Sequence, residues 1–391
     1  MRRILVTGGA GYIGSHTCKA LAAAGMGLKA REAYDDLNLS IVIPTYGRDE
    51  VLCETLRHLL ALSAPAAEIV VVDQTTDHGP PTSDYLAQQH AAGGIRWLRQ
   101  APPGTVGAMN RGLLEARGEL VLFLDDDIIP GAELVAAQRR AHAEHPEAWA
   151  VVGRVLQPED WDLPTGGKED TEGRGLPTND MKAPKSAGNA FRGESVSAVC
   201  VPPPVCPHGV DSCASWARSL RQDLGFAFNG EGSAWVTNVM AGNLCVRREQ
   251  ALAVGGFDAN FTPPVSYRFE TEFAKRVIAA GGRIWFEPSA SIRHLRAARG
   301  GTRSQGSHLS SASPVHGVGD YYYALRCGRG WERAGYIARR PFREVRTRFH
   351  LRHPWWIPLK LIGELRALLW AVRLYRQGAR LLPTNDTNGH E

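Results

Sequence analysis

No stretch of this 391-residue chain approaches the roughly 18–20 uncharged apolar residues that a bilayer-crossing helix needs, so a spanning helix is excluded. The opening residues, MRRILVTGG, lack an apolar core followed by a small-residue cleavage site, and no secretory signal is expected. Cysteine is sparse. Seven are scattered along the chain, an odd number without a dense framework, which argues against a disulfide scaffold and suits a reducing cytoplasm. No internal repeat is found. The balance of 43% hydrophobic and 22% charged residues excludes wholesale disorder, and the length accommodates two or three domains.

Charge is unevenly spread. Residues 293–391 hold 18 Lys and Arg against 6 Asp and Glu, while the remainder holds 27 against 34. A mildly acidic body with a strongly basic C-terminal region suggests that the basic part meets an anionic surface. Phospholipid headgroups and nucleic acid are the two candidates. No nucleic-acid-binding motif accompanies the charge, so nucleic acid is not expected.

From Leu39 onward the hydrophobic pattern alternates between two periods. LSIVIP (Leu39 to Pro44), EIVVVD (Glu68 to Asp73), Ile95 to Leu98 and ELVLFL (Glu119 to Leu124) are strand runs. Glu50 to Leu62 and Thr105 to Ala116 have helical spacing. Such alternation predicts an α/β fold with a mainly parallel sheet covered on both faces. Residues 157–235 turn rich in Gly, Pro, Ser and Trp and read as long loops over a site. A strand at Asn243 to Val246, a helix from about Phe269 to Ala280 and a strand at Arg283 to Phe286 follow.

Asp125, Asp126 and Asp127 come directly after the fourth strand run, where an α/β sheet opens onto its ligand crevice. Three adjacent carboxylates repel one another unless a cation lies between them. Mg²⁺ or Mn²⁺ with a diphosphate fits, since hard carboxylate oxygens and phosphate oxygens complete such a shell. Helix capping is the competing explanation, but one Asp would suffice for that.

These segments together resemble glycosyltransferase family two, the GT-A group of nucleotide-sugar-dependent enzymes, over residues 39–295. The matching stretches are SIVIPTYGR at Ser40, EIVVVDQTTD at Glu68, GAMNRGLLEARGELVLFLDDD at Gly107, GNLCVRREQALAVGGFDANF at Gly242 and FETEFAKRVIAAGGRIWFEPSASIRH at Phe269. The resemblance implies a GT-A-type, Rossmann-like mixed sheet sandwiched by helices, a nucleotide-sugar donor and a glycan, polysaccharide or lipid-linked acceptor. It implies that Thr45 and Arg48 border the donor's base and phosphates and that Asp73 reads the nucleobase. The family's second acid at that place is here Gln74, whose amide can still pair with a uracil edge. Asn110 and Arg111 are implied beside the diphosphate or sugar. Asp125 and Asp127 would hold the metal, with Asp126 close by and His294 closing onto the ion.

Sugar transfer also needs a carboxylate to take the acceptor's proton. The family shows Glu-Asp-x-Asp-Leu-x-x-Arg where this chain reads Phe269-Glu270-Thr271-Glu272-Phe273-Ala274-Lys275-Arg276. Glu270 takes the catalytic Asp's place, one methylene longer, and Glu272 is the second choice. The alternative is that both acids complement a helix dipole. The direct-displacement, inverting mechanism is likewise implied by the resemblance. Cys200, Cys206, His208 and Cys213 are spaced C-x₅-C and C-x₆-C, wider than a zinc knuckle.

Two terminal regions stand apart. VTGGAGYIGSH (Val6 to His16) carries glycines at Gly8, Gly11 and Gly14 between a strand and a helix, the context of a dinucleotide-binding loop. Residues 1–26 resemble the start of a UDP-glucose 4-epimerase of the extended short-chain dehydrogenase family. Such enzymes need a Tyr-x-x-x-Lys pair, and no tyrosine here has Lys four positions later. One strand and one helix also cannot build a crevice between two halves. Residues 1–38 are therefore expected to be a truncated βα fragment, an epimerase activity is disfavoured, and NAD is not expected as a cofactor.

Residues 296–391 are expected to be a basic, amphipathic helical region. Tyr321, Tyr322, Tyr323, Trp331, Trp355, Trp356 and Trp370 lie among its arginines. Leu361, Ile362, Leu365, Leu368, Leu369 and Val372 recur at helical spacing, with Lys360, Arg366, Arg373, Arg376 and Arg380 supplying charge. This suits a helix in the headgroup layer of an anionic membrane, such as the inner face of a plasma membrane. A helix packed on the catalytic domain with solvated arginines is the alternative. A catalytically silent sugar- or membrane-binding module is the remaining rival for the whole chain. Purified protein is expected to retain no NAD and to give no fluorescence enhancement with micromolar NADH. Retention of NAD would restore residues 1–38 as a working dinucleotide site.

Overall fold

The computed structural model describes residues 37–161, 220, 228–261, 268–297 and 309–383. All belong to one compact unit, Leu37–Glu391. The glycine loop at residues 6–16, most of the Gly- and Pro-rich stretch and the Cys200–Cys213 group lie outside the described residues.

The element order begins β1 (Leu39–Thr45), α1 (Glu50–Leu60), β2 (Glu68–Asp73), α2 (Pro80–Ala91), β3 (Arg96–Arg99), α3 (Thr105–Glu115) and β4 (Leu120–Leu124). It continues with β5 (Ile128–Pro130), α4 (Leu134–Glu144), β6 (Ala148–Leu156), β7 (Ala234–Val236), β8 (Asn243–Arg247), α5 (Arg248–Ala253), α6 (Phe269–Ala279) and β9 (Arg283–His294). Four further helices close the described chain: α7 (Val315–Cys327), α8 (Gly330–Val345), α9 (Arg348–Arg352) and α10 (Ile357–Gln377).

The strands form one sheet in the order β3-β2-β1-β4-β8-β6-β9-β5, with β7 also paired to β9. The first four are parallel, and β4–β8 and β8–β6 are antiparallel, so the sheet is mixed. Along β1 successive side chains enter opposite cores. Val42 joins Val70, Val72 and Phe123, whereas Ile41 and Ile43 join Val71 and Leu122. Both sheet faces are thus covered, which is why these strands read as continuous apolar runs rather than alternating ones. Helix α3 lies close on β1 because Gly112 lacks a side chain. A Cβ there would meet Val42 Cγ1 at 2.1 Å.

Two features depart from expectation. The strand expected to stop at Phe286 runs on to His294. Its register against β6 jumps from Gly153–Glu287 to Arg154–Ser291. Pro288 has no N–H to give the ladder, and the irregularity takes it out of pairing so that the strand resumes beyond it. The C-terminal helices, expected to be a separate basic region, share the main core. Tyr321, Tyr322 and Tyr323 are fully buried in the same apolar cluster as Phe257 and Phe273. Lys360, expected among the surface charges, is buried at 3% exposure.

A buried ionic knot joins these helices to the sheet domain. Asp320, at 0% exposure, receives Arg268 Nε at 3.0 Å, Arg343 at 3.0 Å and the Tyr336 hydroxyl at 2.7 Å, with Arg340 also bound. Burial works to raise the Asp320 carboxyl, yet Arg340, Arg268 and the Tyr336 hydroxyl outweigh it and hold it low. Arg268 directly precedes α6, so the knot braces that helix's first turn. Replacing Asp320 with Ala strands several cations in the interior. The variant is expected to lose about 3–5 kcal/mol of stability, read from its denaturant midpoint; a loss within about 0.5 kcal/mol, as at an ordinary surface position, would mean that the knot does not hold the helices.

Candidate active site

The chain bends between β4 and β5, and there Asp125 and Asp127 approach His294 while Asp126 and Asp127 share Arg48. The β5–β9 register sets Ile128 opposite His294, which brings the imidazole beside Asp127. The Leu295 amide donates to the Asp127 carbonyl at 2.8 Å and secures that crossing. His294 Nε2 is then 3.2 Å from Asp127 Oδ1 and 3.8 Å from Asp125 Oδ2. One ligand atom from each of Asp125, Asp127 and His294 lies within 4.8 Å of the others. Two hard carboxylate oxygens and an imidazole nitrogen are a donor set that fits a divalent cation.

The other imidazole nitrogen has an unambiguous partner. Gln157 Oε1 lies 3.0 Å from His294 Nδ1 and 2.9 Å from Arg296 Nε. A guanidinium nitrogen can only donate, so the glutamine atom between them is its oxygen. Nδ1 therefore carries a proton, and Nε2 is the nitrogen turned to the two aspartates: protonated, it donates to Asp127, and deprotonated, it offers a lone pair to a cation. Ligating histidines are commonly oriented in this manner by a second contact. Nothing in the sequence marked Gln157, which lies 137 positions from His294.

Arg48 is the cation already present. It is buried, with Nε 3.2 Å from Asp126 Oδ1 and Nη2 3.2 Å from Asp127 Oδ2. Its third group donates to the Ala297 carbonyl at 3.2 Å. Burial pushes the Asp126 carboxyl up to about 7 despite Arg48 and Thr45, and Asp127 and Asp125 add to the rise. Asp127 goes the other way. Burial would raise it, but His294, the Ala297 amide and Arg48 together hold it below the usual carboxylate range. Asp127 is thus kept charged, with Oδ2 bound by Arg48 and Ala297 and Oδ1 turned to the histidine.

Glu270 stands on the same wall. The Ala241 amide donates to its Oε1 at 2.6 Å. The next residue, Gly242, lies against Asp125, where a Cβ would meet Asp125 Oδ2 at 2.4 Å. Two consecutive residues therefore touch the acid on α6 and the acid after β4. Burial pushes Glu270 up to about 7, against the Ala241 hydrogen bond and Arg268, while the Asp125 charge adds to the rise.

Other expected residues are committed within the protein. Asp73 Oδ2 is met by His78 at 3.0 Å, Trp97 Nε1 at 2.9 Å and Arg99 at 3.0 Å, and Oδ1 takes the Thr75 amide at 2.9 Å. Gln74 donates to the Thr45 carbonyl at 3.2 Å and accepts from the Gly104 amide. Asn110 binds the Phe257 backbone in both directions, at 2.7 and 2.8 Å. Arg111 is exposed on α3 and approaches Glu115 at 3.9 Å. Glu272 is 1% exposed and bound to Arg276 at 2.8 Å, so its carboxylate faces a structural partner rather than the cluster. Asp126 likewise points to Arg48 rather than to His294. Reasoning from sequence missed His78, Trp97, Arg99, Gln157 and the Ala241–Gly242 contact. The Arg99 pairing follows from the parallel register that sets it opposite Asp73.

Residues 40–195 match the profile of the family described as Glycosyl transferase family 2. That segment belongs to glycosyl transferase family 2. Among individual proteins, the chain is 35% identical over 92 residues to an uncharacterized glycosyltransferase, alr2836, of Nostoc sp. (strain PCC 7120). It is 31% identical over 117 residues to the validoxylamine A glucosyltransferase of Streptomyces hygroscopicus subsp. limoneus. These alignments take in 23% and 29% of this chain and only 28% and 26% of the relatives' own lengths. A mannosyltransferase of Pyrobaculum calidifontis, solved with GDP-Man and Mn²⁺, superposes at 16% identity over 88% of this chain and 79% of its own, with a TM-score of 0.44. A superposition that loose speaks for neither site nor substrate.

Replacing Gln157 with Leu should free the His294 ring while leaving all three donor atoms in place. Mn²⁺ affinity by calorimetry is expected to fall about 10–100-fold. Unchanged affinity would mean that Gln157 does not orient the ring.

Proposed function

We propose that this chain is a metal-dependent glycosyltransferase that moves a sugar from a nucleotide-sugar donor to an acceptor hydroxyl with inversion. The observation that carries the reading is the shared wall. Ala241 and Gly242 join Glu270, an acid raised to about 7, to the Asp125, Asp127 and His294 cluster. Membership of residues 40–195 in glycosyl transferase family 2 supports the reaction class.

In this reading Asp125, Asp127 and His294 hold the divalent cation. When bound, the cation supplies positive charge against the negative charge growing on the departing nucleoside diphosphate. An imidazole among the donors favours Mn²⁺ over Mg²⁺, which prefers oxygen alone. Arg48 keeps Asp126 and Asp127 from repelling each other before any ion arrives. The Glu270 carboxylate accepts the acceptor's proton while that oxygen bonds to the sugar carbon and the carbon–oxygen bond to the diphosphate breaks. The Ala241 amide holds one carboxylate oxygen and leaves the other for the acceptor. Entry opposite the leaving group inverts the configuration. Acceptor choice, whether glycan, polysaccharide or lipid-linked, is assigned to residues 157–240. Asp73 acts indirectly, arranging His78, Trp97 and Arg99 along the donor's path. A cytoplasmic setting belongs to the same reading, since seven scattered cysteines make no dense disulfide framework.

The test is sugar transfer from a panel of nucleotide sugars with Mn²⁺, using the Glu270→Gln variant beside the native chain. The variant is expected to keep donor binding and lose about 10²–10⁴-fold in turnover. The base must be ionised to work. Turnover of the native enzyme should therefore rise with pH through about 7 and level off above it, and the variant should lack that limb. Full turnover by Glu270→Gln would refute the assignment.

A further inference from the structure

Helix α10 buries an ion pair beside its apolar contacts and leaves large apolar side chains outside. Its buried residues are Lys360, Gly363, Glu364, Ala367 and Ala371. Lys360 and Glu364, each 3% exposed, pair at 3.0 Å, and Glu364 also takes Arg340 Nε at 3.0 Å. Of the apolar stripe, Leu368 and Val372 are partly buried against the core, and the rest lies on the opposite side. Ile362, Leu365 and Leu369 are 52%, 58% and 62% exposed, with Leu361 at their edge. Arg366, Arg373 and Arg376 recur on that same exposed face at helical spacing. Glu364, the helix's one acid, points inward, so the outer face carries positive charge alone. An ordinary surface helix does the reverse, burying its leucines and showing its charges. Just before α10, Leu351 and Trp355 are exposed as well. Among the described residues, ten of the fourteen exposed large apolar side chains lie from Trp331 onward. Ile362, Leu365 and Leu369 are neighbours on one helix face, and an exposed apolar group of this kind marks an interaction site.

We propose that the outer face of α10 docks the chain on an anionic phospholipid surface. The helix lies in the headgroup plane, with Ile362, Leu365 and Leu369 in the acyl boundary and Arg366, Arg373 and Arg376 on lipid phosphates. Charge complementarity selects this occupant. Leucines interleaved with arginine, and no exposed acid, match a surface that is apolar beneath and negative above. No described helix is long and apolar enough to cross a membrane. Lys360 and Glu364 anchor the helix from behind. This inference is independent of the transferase reading, because docking requires no catalysis.

Flotation of the full chain with phosphatidylcholine vesicles, with and without phosphatidylglycerol, tests it. The chain is expected to float with the anionic vesicles and to detach as salt is raised. A triple variant, Ile362→Ser with Leu365→Ser and Leu369→Ser, should lower the partition coefficient on the order of a hundredfold. Arg366→Gln with Arg373→Gln should lower it about five-fold per arginine. Both variants should unfold at the native midpoint, since the altered side chains are exposed. Failure of the native chain to float with anionic vesicles would overturn the proposal, as would flotation of the triple variant at the native level. A lipid-free dimer that the triple variant dissolves, without flotation, would assign the face to a second copy of the chain and also overturn it.

Discussion

The division of labour between the two oxygens of Asp127 is the constraint on which the site depends. Oδ2 is held by Arg48 and the Ala297 amide, and Oδ1 is left facing His294. An aspartate free to rotate would present either oxygen and would protonate more readily once buried. Here three donors outweigh the burial and keep the carboxyl charged. The β5–β9 register, the Gln157 contact and the run of β9 past Pro288 all converge on that one geometry.

The site also separates its acids by environment. Asp127 is held low, whereas Asp126 and Glu270 are pushed up to about 7. Identical functional groups thereby acquire different tendencies, one favoured as the anion and one able to take up and release a proton near neutral pH. Asp126 and Glu270 share the number but not the setting. Asp126 faces the buried guanidinium that it shares with Asp127, while Glu270 faces the cluster wall through Ala241.

The C-terminal helices serve the sheet domain by burying charge. Arg268 leads into the helix that carries Glu270, and it is gripped by Asp320 from α7, which Arg340 and Arg343 of α8 also bind. The same ionic packing inside leaves Ile362, Leu365 and Leu369 of α10 outside. One structural choice thus braces the candidate base and creates the apolar, basic outer face.

Strands and helices of the first half were legible because their periods are local properties of the chain. LSIVIP, EIVVVD and ELVLFL each appear as strands within a residue of expectation. Asp125, Asp127, His294 and Glu270 stand out in the sequence through their place after apolar runs and in a recognisable motif, and the fold brings the first three within 4.8 Å of one another. Side-chain commitment was not legible. Asn110, Arg48 and Glu272 have the right chemistry for ligand contact, yet each is bound to a protein group elsewhere in the fold: the Phe257 backbone, the aspartate pair and Arg276. Gln157 and His78 gave no signal, since their partners depend on sheet register and loop return. The apolar stripe of α10 could be read from spacing, but its direction could not. Periodicity defines that a helix has two faces; only the ions buried behind Lys360 and Glu364 decide which of them meets the solvent.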